Sequence, residues 1–165
     1  MRVLGVDCGS FGTGVGVVES DGRGYRVLHY GAIRPARSAA FADRLNHIHQ
    51  ELERLVKRFR PDTIALEQVF QAFNVKSAMQ LSQVRGVVLL AAARAHLPVS
   101  EYSALAVKSG VVGYGRAEKH QVQRMVQHLL ALPAPPEPDD AADALAVALC
   151  HIHTETARRR LAGNA

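Results

Sequence analysis

The sequence predicts an α/β fold in which a mixed central sheet is flanked by helices. Two patterns indicate this class. The first third of the chain carries three β-rich runs separated only by short turns, which is typical of antiparallel strands. After residue 40, apolar residues at helical spacing alternate with short apolar runs, so the later strands must be joined through helices. Parallel strands require such long connections. We therefore expect three antiparallel strands followed by parallel ones.

The three antiparallel strands are predicted in order along the first 33 residues. Residues 2–7 form a short apolar run of strand length, and residues 13–20 are rich in β-branched side chains. The sequence Asp-Gly-Arg-Gly at 21–24 is a strong hairpin signal. Residues 25–33 then form the third strand.

Helices and two further strands are predicted over the rest of the chain. Apolar residues spaced by three and four from Phe41 to Phe59 predict an amphipathic helix, with Ser38 as its cap and Pro61 as its stop. The further strands are predicted at residues 62–67 and 99–102. The further helices are predicted at residues 75–95, 103–111, 118–130 and 139–156. The proline-rich stretch at 133–138 cannot be helical and is expected to form a stiff loop.

The 165 residues predict one domain at 1–157, followed by a flexible basic tail at 158–165. The hydrophobic fraction of 48% and the charged fraction of 21% are ordinary for a globular domain. One segment leaves two interpretations open. The helix portion at 86–95 is apolar nearly all round, so it either forms part of an interface or lies buried within the monomer.

Charge and cysteine content favour an anionic partner and a reducing compartment. The formal net charge is +5, which favours a polyanion if the basic residues cluster. Two cysteines supply no disulfide framework, and a cytoplasmic location fits them. Charges and prolines interrupt every hydrophobic stretch, so we expect no membrane partner.

Four carboxylates carry the chemical prediction: Asp7, Glu67, Asp140 and Asp143. Asp7 and Glu67 each end an apolar strand, whereas Asp140 and Asp143 open the apolar segment at 141–150. Isolated acids at such positions would be costly, and converging acids repel each other unless a cation neutralises them. Mg²⁺ prefers oxygen ligands of this kind. The pattern therefore predicts a metal-dependent phosphodiester hydrolase.

Two divalent ions held by acids can activate a water and stabilise the leaving oxygen of a phosphodiester. Lys108 and Lys119 flank the glycine-rich turn at 113–115 and are candidates for stabilising developing charge. Both could instead be ordinary contacts to a phosphate backbone. Asp139 also faces Asp143 on a helix, and we expect Asp139 to cap the helix and Asp140 to be the ligand.

Five segments, in order across residues 1–155, resemble the RuvC family of crossover-junction endodeoxyribonucleases. Any one of them alone would not be specific. They are Leu-Gly-Val-Asp-Cys-Gly-Ser at 4–10, Ala-Leu-Glu-Gln-Val-Phe at 65–70, Gln-Val-Arg-Gly at 83–86, Lys-Ser-Gly-Val-Val-Gly-Tyr-Gly-Arg-Ala-Glu-Lys at 108–119, and Asp-Ala-Ala-Asp-Ala-Leu-Ala at 140–146.

This resemblance implies an RNase H-like fold and a homodimer that resolves four-way Holliday junctions in recombination and repair. It implies that the four acids are the ligands of catalytic Mg²⁺ or Mn²⁺, and that Lys108 and Lys119 are the functional lysines. It also implies that Phe70 acts near the junction centre, and that the RuvA–RuvB branch-migration motor is a partner. One departure is Cys8, which stands where many relatives carry proline.

The residues expected to contact DNA combine basic and aromatic side chains. Phe73 is a second candidate for stacking on the junction, with packing as the alternative role. The full expected set is Phe70, Phe73, Lys76, Arg85, Lys108, Arg116 and Lys119.

Three other functions match parts of the sequence. The glycines following Asp7 are similar to the first phosphate loop of actin-like and sugar-kinase ATPases, but a second phosphate loop is missing. Another RNase H-like nuclease, acting on a different branched or hybrid nucleic acid, is the main enzymatic alternative. The non-enzymatic alternative is a junction-binding module, which the presence of all four acids disfavours.

Overall fold

The computed structural model describes residues 1–9, 12–68 and 74–163 of the chain. Its strands are β1 (Arg2–Cys8), β2 (Thr13–Ser20), β3 (Tyr25–Ile33), β4 (Thr63–Glu67) and β5 (Val99–Tyr102). Its helices are α1 (Phe41–Phe59), α2 (Val75–Arg94), α3 (Ala104–Val112), α4 (Lys119–Leu129) and α5 (Asp139–Gly163). In this described part, no helix is long and apolar enough to span a membrane.

The five strands form one mixed sheet in the order β3-β2-β1-β4-β5. β1 pairs with β2, and β2 with β3, in antiparallel orientation, whereas β1 and β4, and β4 and β5, run parallel. The predicted fold class is therefore confirmed. β1 lies at the centre of the sheet, so its carboxyl end is flanked by strands on both sides.

The two faces of the sheet bury different residues because successive side chains of a strand point to opposite faces. On β1, Val3 packs into a core formed mainly with α3, α4 and α5. Leu4 and Val6 pack into a second core with α1 and α2. The odd-numbered positions of β1 therefore face α5. Asp7 shares this face, since it is an even number of residues from Val3.

The β2–β3 turn forms as the sequence predicts. The carboxylate of Asp21 accepts hydrogen bonds from the backbone N–H groups of Arg23 and Gly24, at 2.8 and 3.0 Å. Gly22 has a φ of 91°, a left-handed conformation that glycine adopts without steric cost.

One predicted helix cap and one predicted helix end are wrong. Ala40 rather than Ser38 is at the cap position of α1, and it makes no side-chain cap hydrogen bond. The last helix continues to Gly163 instead of ending near residue 156, so residues 158–163 are helical. The alanine, arginines and leucine that precede Gly163 are strong helix formers, which accounts for the extension.

The apolar portion of α2 has one buried side and one exposed side. Val88, Ala91 and Ala92 are buried in the core beneath α1 and α2. Met79 and Leu90, by contrast, are 60% and 53% exposed. The interpretation that residues 86–95 are buried within the monomer therefore holds for one side of the helix. The other side is exposed, and an interface there stays a prediction.

Candidate active site

Asp7 and Glu67 are brought together by the parallel pairing of their strands. Val6 pairs with Leu66 in the register of β1 and β4, so the next residue of each strand is an acid. Thr63, Ala65 and Glu67 alternate with the buried Ile64 and Leu66, so Glu67 shares its face with Ala65, which packs beneath α5. The two acids therefore end neighbouring strands on the face that α5 covers.

Glycines on β1 and β2 allow α5 to lie directly on the sheet. Asp7 pairs with Gly14 across the antiparallel ladder. A Cβ at position 14 would lie 1.9 Å from the backbone oxygen of Asp140, and one at Gly5 would lie 2.0 Å from that of Ala144. Glycine is therefore required at both positions, and the first turn of α5 stands beside Asp7.

These elements enclose a cleft of about 230 Å³ at the carboxyl ends of β1 and β4. Its polar groups are three carboxylates and two lysines, and its apolar wall comes from α3, α4 and α5. The lining residues are Asp7, Glu67, Ala104, Val107, Lys108, Lys119, Val122, Asp143 and Ala146. Five of the predicted site residues thus share one cavity.

The carboxylates of the cleft are electrostatically strained. Burial, followed by the charges of Glu67, Asp143 and Asp140, raises the pKa of Asp7 from 3.8 to about 7. Burial and the charge of Asp143 also raise the pKa of Glu67. Burial raises the pKa of Asp143, although its hydrogen bond from Lys119 opposes the shift. Mutual repulsion adds to the cost of desolvation at each site.

Lys119 is the cation most closely tied to these acids. Its Nζ donates to Oδ2 of Asp143 at 2.9 Å and lies 3.5 Å from Oδ2 of Asp139. Burial lowers the pKa of Lys119, but the bonds to Asp143 and Asp139 outweigh it and leave the pKa above its usual value. Lys119 therefore stays protonated and offsets part of the negative charge.

Asp140 lies at the rim rather than among the residues that line the cleft. Its Oδ2 is 3.6 Å from Nη2 of Arg34, and its charge still raises the pKa of Asp7. The predicted cap is wrong. The carbonyl of Pro138 accepts hydrogen bonds from the backbone N–H groups of Ala141 and Ala142, so Asp139 is already inside the helix. The carboxylate of Asp139 instead accepts a bond from Gln123.

The remaining predicted DNA contacts lie in different settings. Lys76 is exposed in the first turn of α2, and Arg116 is exposed in the turn between α3 and α4. Arg85 donates to both carboxylate oxygens of Glu101, at 2.6 and 2.7 Å, and so joins α2 to β5. Phe70 and Phe73 lie outside the described residues.

The donor chemistry of the site fits a hard divalent cation. The groups that converge are carboxylates, their pKa values are raised by one another, and Mg²⁺ and Mn²⁺ select oxygen ligands. Within the described ranges, no group of three or more His, Cys, Asp or Glu side chains is arranged to hold an ion as it stands.

Two features of the site were missed in the sequence. Arg34 directly follows β3, and nothing in its neighbours points to Asp140, which is more than a hundred positions away. For Gly14 the sequence predicts only a position within the strand at 13–20. The available signal was the unusual run of glycines at 12, 14 and 16, which in a strand marks a close approach of another backbone.

Acids at the carboxyl ends of two neighbouring parallel strands, faced by the acidic start of a helix, define an RNase H-like nuclease. The family model described as crossover junction endodeoxyribonuclease RuvC matches residues 3–151. A protein of that name from Ruminiclostridium cellulolyticum is 51% identical over 92% of this chain and 91% of its own length. Another from Koribacter versatilis is 49% identical over 98% of both.

A solved structure is similar over the same extent. The Thermus thermophilus RuvC in complex with Holliday junction substrate superposes with a TM-score of 0.91 at 34% identity, covering 96% of each chain. This chain therefore belongs to the RuvC family of crossover junction endodeoxyribonucleases. Nucleases of this family depend on divalent metal ions.

Proposed function

We propose that this chain resolves four-way DNA junctions by paired symmetric nicks during homologous recombination and DNA repair. The observation that carries the proposal is the single cleft shared by Asp7, Glu67, Asp143, Lys108 and Lys119. Three acids and two cations in one cavity suit hydrolysis of a phosphodiester, because the acids attract metal ions and the cations attract phosphate.

Asp7, Glu67, Asp140 and Asp143 are the residues that would hold the metal. The proposed ions are two Mg²⁺ per site, with Mn²⁺ able to substitute, and when bound they would activate water and stabilise the leaving oxygen. The raised pKa of Asp7 supports this assignment. A bound cation would relieve the repulsion that causes part of that shift.

The other residues of the cleft would bind and orient the DNA strand. Lys119, held by Asp143, presents a protonated ammonium at the point where negative charge develops on the phosphate. Lys108 lines the same cavity. Val107, Val122 and Ala146 form an apolar wall, which limits access of bulk water and strengthens the interactions of these charges.

Further DNA contacts are proposed around the cleft. The exposed Lys76 and Arg116 are suited to bind backbone phosphates without reading sequence. Arg85 would contact DNA only if its guanidinium bound a phosphate while it also donates to Glu101. Phe70 and Phe73 are proposed to contact the bases near the junction centre. Residues 1–157 form the proposed nuclease domain and residues 158–165 its basic tail.

A homodimer is proposed because a four-way junction is approximately two-fold symmetric and needs two matched nicks. Met79, Gly86, Leu90 and Ala93 recur at spacings of seven, four and three, so they share one side of α2. All four are exposed, and a Cβ at Gly86 would meet no atom within 4 Å. This apolar stripe, with a glycine at its middle, would let the α2 helices of two copies approach closely.

The dimer proposal is tested with Leu90→Glu. Light scattering should report a dimer for the wild-type chain and a monomer for this variant, because a charge would be buried in the interface. Leu161→Glu is the matched control, since Leu161 is a 76% exposed leucine near the end of α5. A dimer that persists in Leu90→Glu would contradict the proposed interface.

Activity is tested with immobile and mobile four-way junctions, a fork, an RNA–DNA hybrid and linear duplex DNA. Paired symmetric nicks in the junction should require Mg²⁺ or Mn²⁺ and disappear with EDTA. Asp7→Asn should abolish cleavage yet retain junction binding, because it removes a metal ligand and no phosphate contact. Asp43→Asn, in the exposed first turn of α1, is the control. Preferential nicking of the fork or hybrid would contradict the proposal.

Cellular context completes the proposal. The chain would act in the cytoplasm, where a reducing environment suits the two buried free cysteines, Cys8 and Cys150. The RuvA–RuvB branch-migration motor is the proposed protein partner. Addition of that motor to the mobile junction should increase the yield of resolved product, and an unchanged yield would argue against the partnership.

A further inference from the structure

Arg34 lies at the rim of the cleft, on the β3 side of the acidic start of α5. Ile33 pairs with Thr13, and Thr13 pairs with Cys8, so Arg34 follows β3 at the sheet end where Asp7 lies. Its side chain is 59% exposed, and Nη2 stands 3.6 Å from Oδ2 of Asp140. Two strand spacings, about 10 Å, separate β3 from β1.

The space in which Arg34 and Asp140 meet is kept open by Gly12. A Cβ at position 12 would lie 3.3 Å from Cγ of Arg34 and 3.4 Å from Oδ2 of Asp140. Both side chains therefore pass close to Gly12. Because Gly12 has no side chain, the guanidinium can lie beside the acidic start of α5.

The cations near α5 occupy two opposite flanks. Lys119 contacts Asp143 from the α4 flank, and Arg34 contacts Asp140 from the β3 flank. Lys108 adds a second charge on the first flank only. A DNA strand that crosses the cleft in front of the acids would meet Arg34 on one side and the lysines on the other.

The ion pair of Arg34 does little to hold the fold together. Exposed ion pairs contribute little to stability, and this one is a single long contact. A guanidinium is also a planar donor that matches phosphate oxygens and is more weakly hydrated than an ammonium. Its place at the rim of the cleft is therefore better suited to binding than to stability.

We propose that Arg34 binds a backbone phosphate of the substrate strand, on the flank of the cleft opposite Lys119. This inference rests on the proposed function, since it assumes that DNA crosses the acidic cleft. It makes Arg34 a DNA-positioning residue in addition to those expected from the sequence. Asp140 would hold the guanidinium in place until the phosphate arrives.

The test compares Arg34→Gln and Arg34→Lys with Arg94→Gln. Arg94 is a matched control because its Nε also lies 3.6 Å from a carboxylate, that of Glu53, and its side chain is 64% exposed. Junction affinity is measured in EDTA over a range of salt concentrations, so that cleavage plays no part. Thermal melting checks that the three variants are folded.

Arg34→Gln should weaken junction binding by about three- to tenfold and reduce the slope of log affinity against log salt by about 0.9. Arg34→Lys should retain the slope, and Arg94→Gln should match the wild-type chain. An affinity and slope for Arg34→Gln equal to those of the wild type would overturn the inference. If the wild-type chain bound junction and duplex equally while Arg34→Gln still lost slope, the proposed function would fail and the Arg34 contact would stand.

Discussion

The acids at the strand ends and the acids at the start of α5 differ in how their charge is compensated. Asp143 is paired with Lys119, and Asp140 with Arg34. Within the described part of the chain, Asp7 and Glu67 form no ion pair closer than 4 Å. Lys119 lowers the pKa of Asp7 only as the weakest of five contributions. The helix-start acids are each paired with a cation of the protein, whereas Lys108 and Lys119 act on the strand-end acids only through their charge, without an ion pair.

Because of this difference, the electrostatic cost of the site to the stability of the fold is greatest at the strand ends. A carboxylate that is buried, close to other acids and without a partner destabilises the folded state when it ionises. Such a group is best satisfied by a cation from outside the chain. The helix-start acids are held by Arg34 and Lys119, two side chains that also suit DNA binding. These ion pairs therefore place the proposed DNA contacts directly beside the proposed metal ligands.

The largest expected effect separates the two neighbouring acids at the start of α5. Asp140→Asn should lower cleavage on the order of 10²- to 10³-fold, because it removes a proposed metal ligand. Asp139→Asn should stay within about threefold of wild type, since Asp139 is exposed and its ion pair with Lys119 is long. Single-turnover cleavage of a junction measures both. A larger loss of cleavage in Asp139→Asn than in Asp140→Asn would mean that Asp139 is the metal ligand, and would contradict the contrast drawn above.

The strand-end acids could be predicted from the sequence, whereas their surroundings could not. Asp7 and Glu67 each close an apolar run of strand length, so they could be expected to converge where neighbouring strands end. The face that they share follows from the register of β1 and β4. Predicting where these two acids lie required only the ends of the two strands and their parallel order. The mixed sheet itself followed from turns in one region and helical spacing in the rest.

Contacts between distant side chains were beyond such reasoning. Arg85 is expected to bind DNA, and no local pattern shows that Glu101 pairs with it across α2 and β5. Asp139 was expected to be a cap, but Pro138 provides the cap carbonyl and Gln123 bonds the carboxylate. Such pairings depend on how α4 and α5 pack, which no local pattern specifies. Local propensity likewise misplaced the cap of α1.

A smaller effect is expected from separating the two groups of acids without removing either. Gly14→Ala places a Cβ against the backbone oxygen of Asp140 and should push the start of α5 away from Asp7. A misplacement of about 1 Å can cost on the order of 10²-fold in rate, and overpacking costs about 1–3 kcal/mol. Cleavage rate and urea unfolding measure the two consequences.

Gly31→Ala is the matched control for that change. Gly31 is also a strand glycine, but a Cβ there would meet no atom within 4 Å. It should leave cleavage close to wild type. If Gly14→Ala cleaved as fast as Gly31→Ala, the close approach of α5 to β2 would not be what aligns Asp140 with Asp7.

The smallest expected effect is a pH-dependent gain in stability when Asp7 is replaced. In the folded chain the pKa of Asp7 is raised from 3.8 to about 7. Between these values the unfolded chain releases a proton that the folded chain keeps, so the wild type loses stability as the pH rises, and the loss is complete above about pH 7. Asp7→Asn escapes this loss.

In EDTA, the melting temperature of Asp7→Asn should therefore exceed that of the wild type by a gap that widens from about pH 5 to about pH 8. Over that range the gap should widen by about 2–3 kcal/mol, or roughly 5–10 °C. Mg²⁺ should narrow the gap by stabilising the wild type alone, since binding to the folded state raises its stability. A gap independent of pH would mean that burial and the neighbouring acids do not raise the pKa of Asp7 in the folded chain, so that ionising Asp7 carries no cost for a metal to relieve. The strand-end acids would then differ from the helix-start acids only in lacking the ion pairs that Asp143 and Asp140 form.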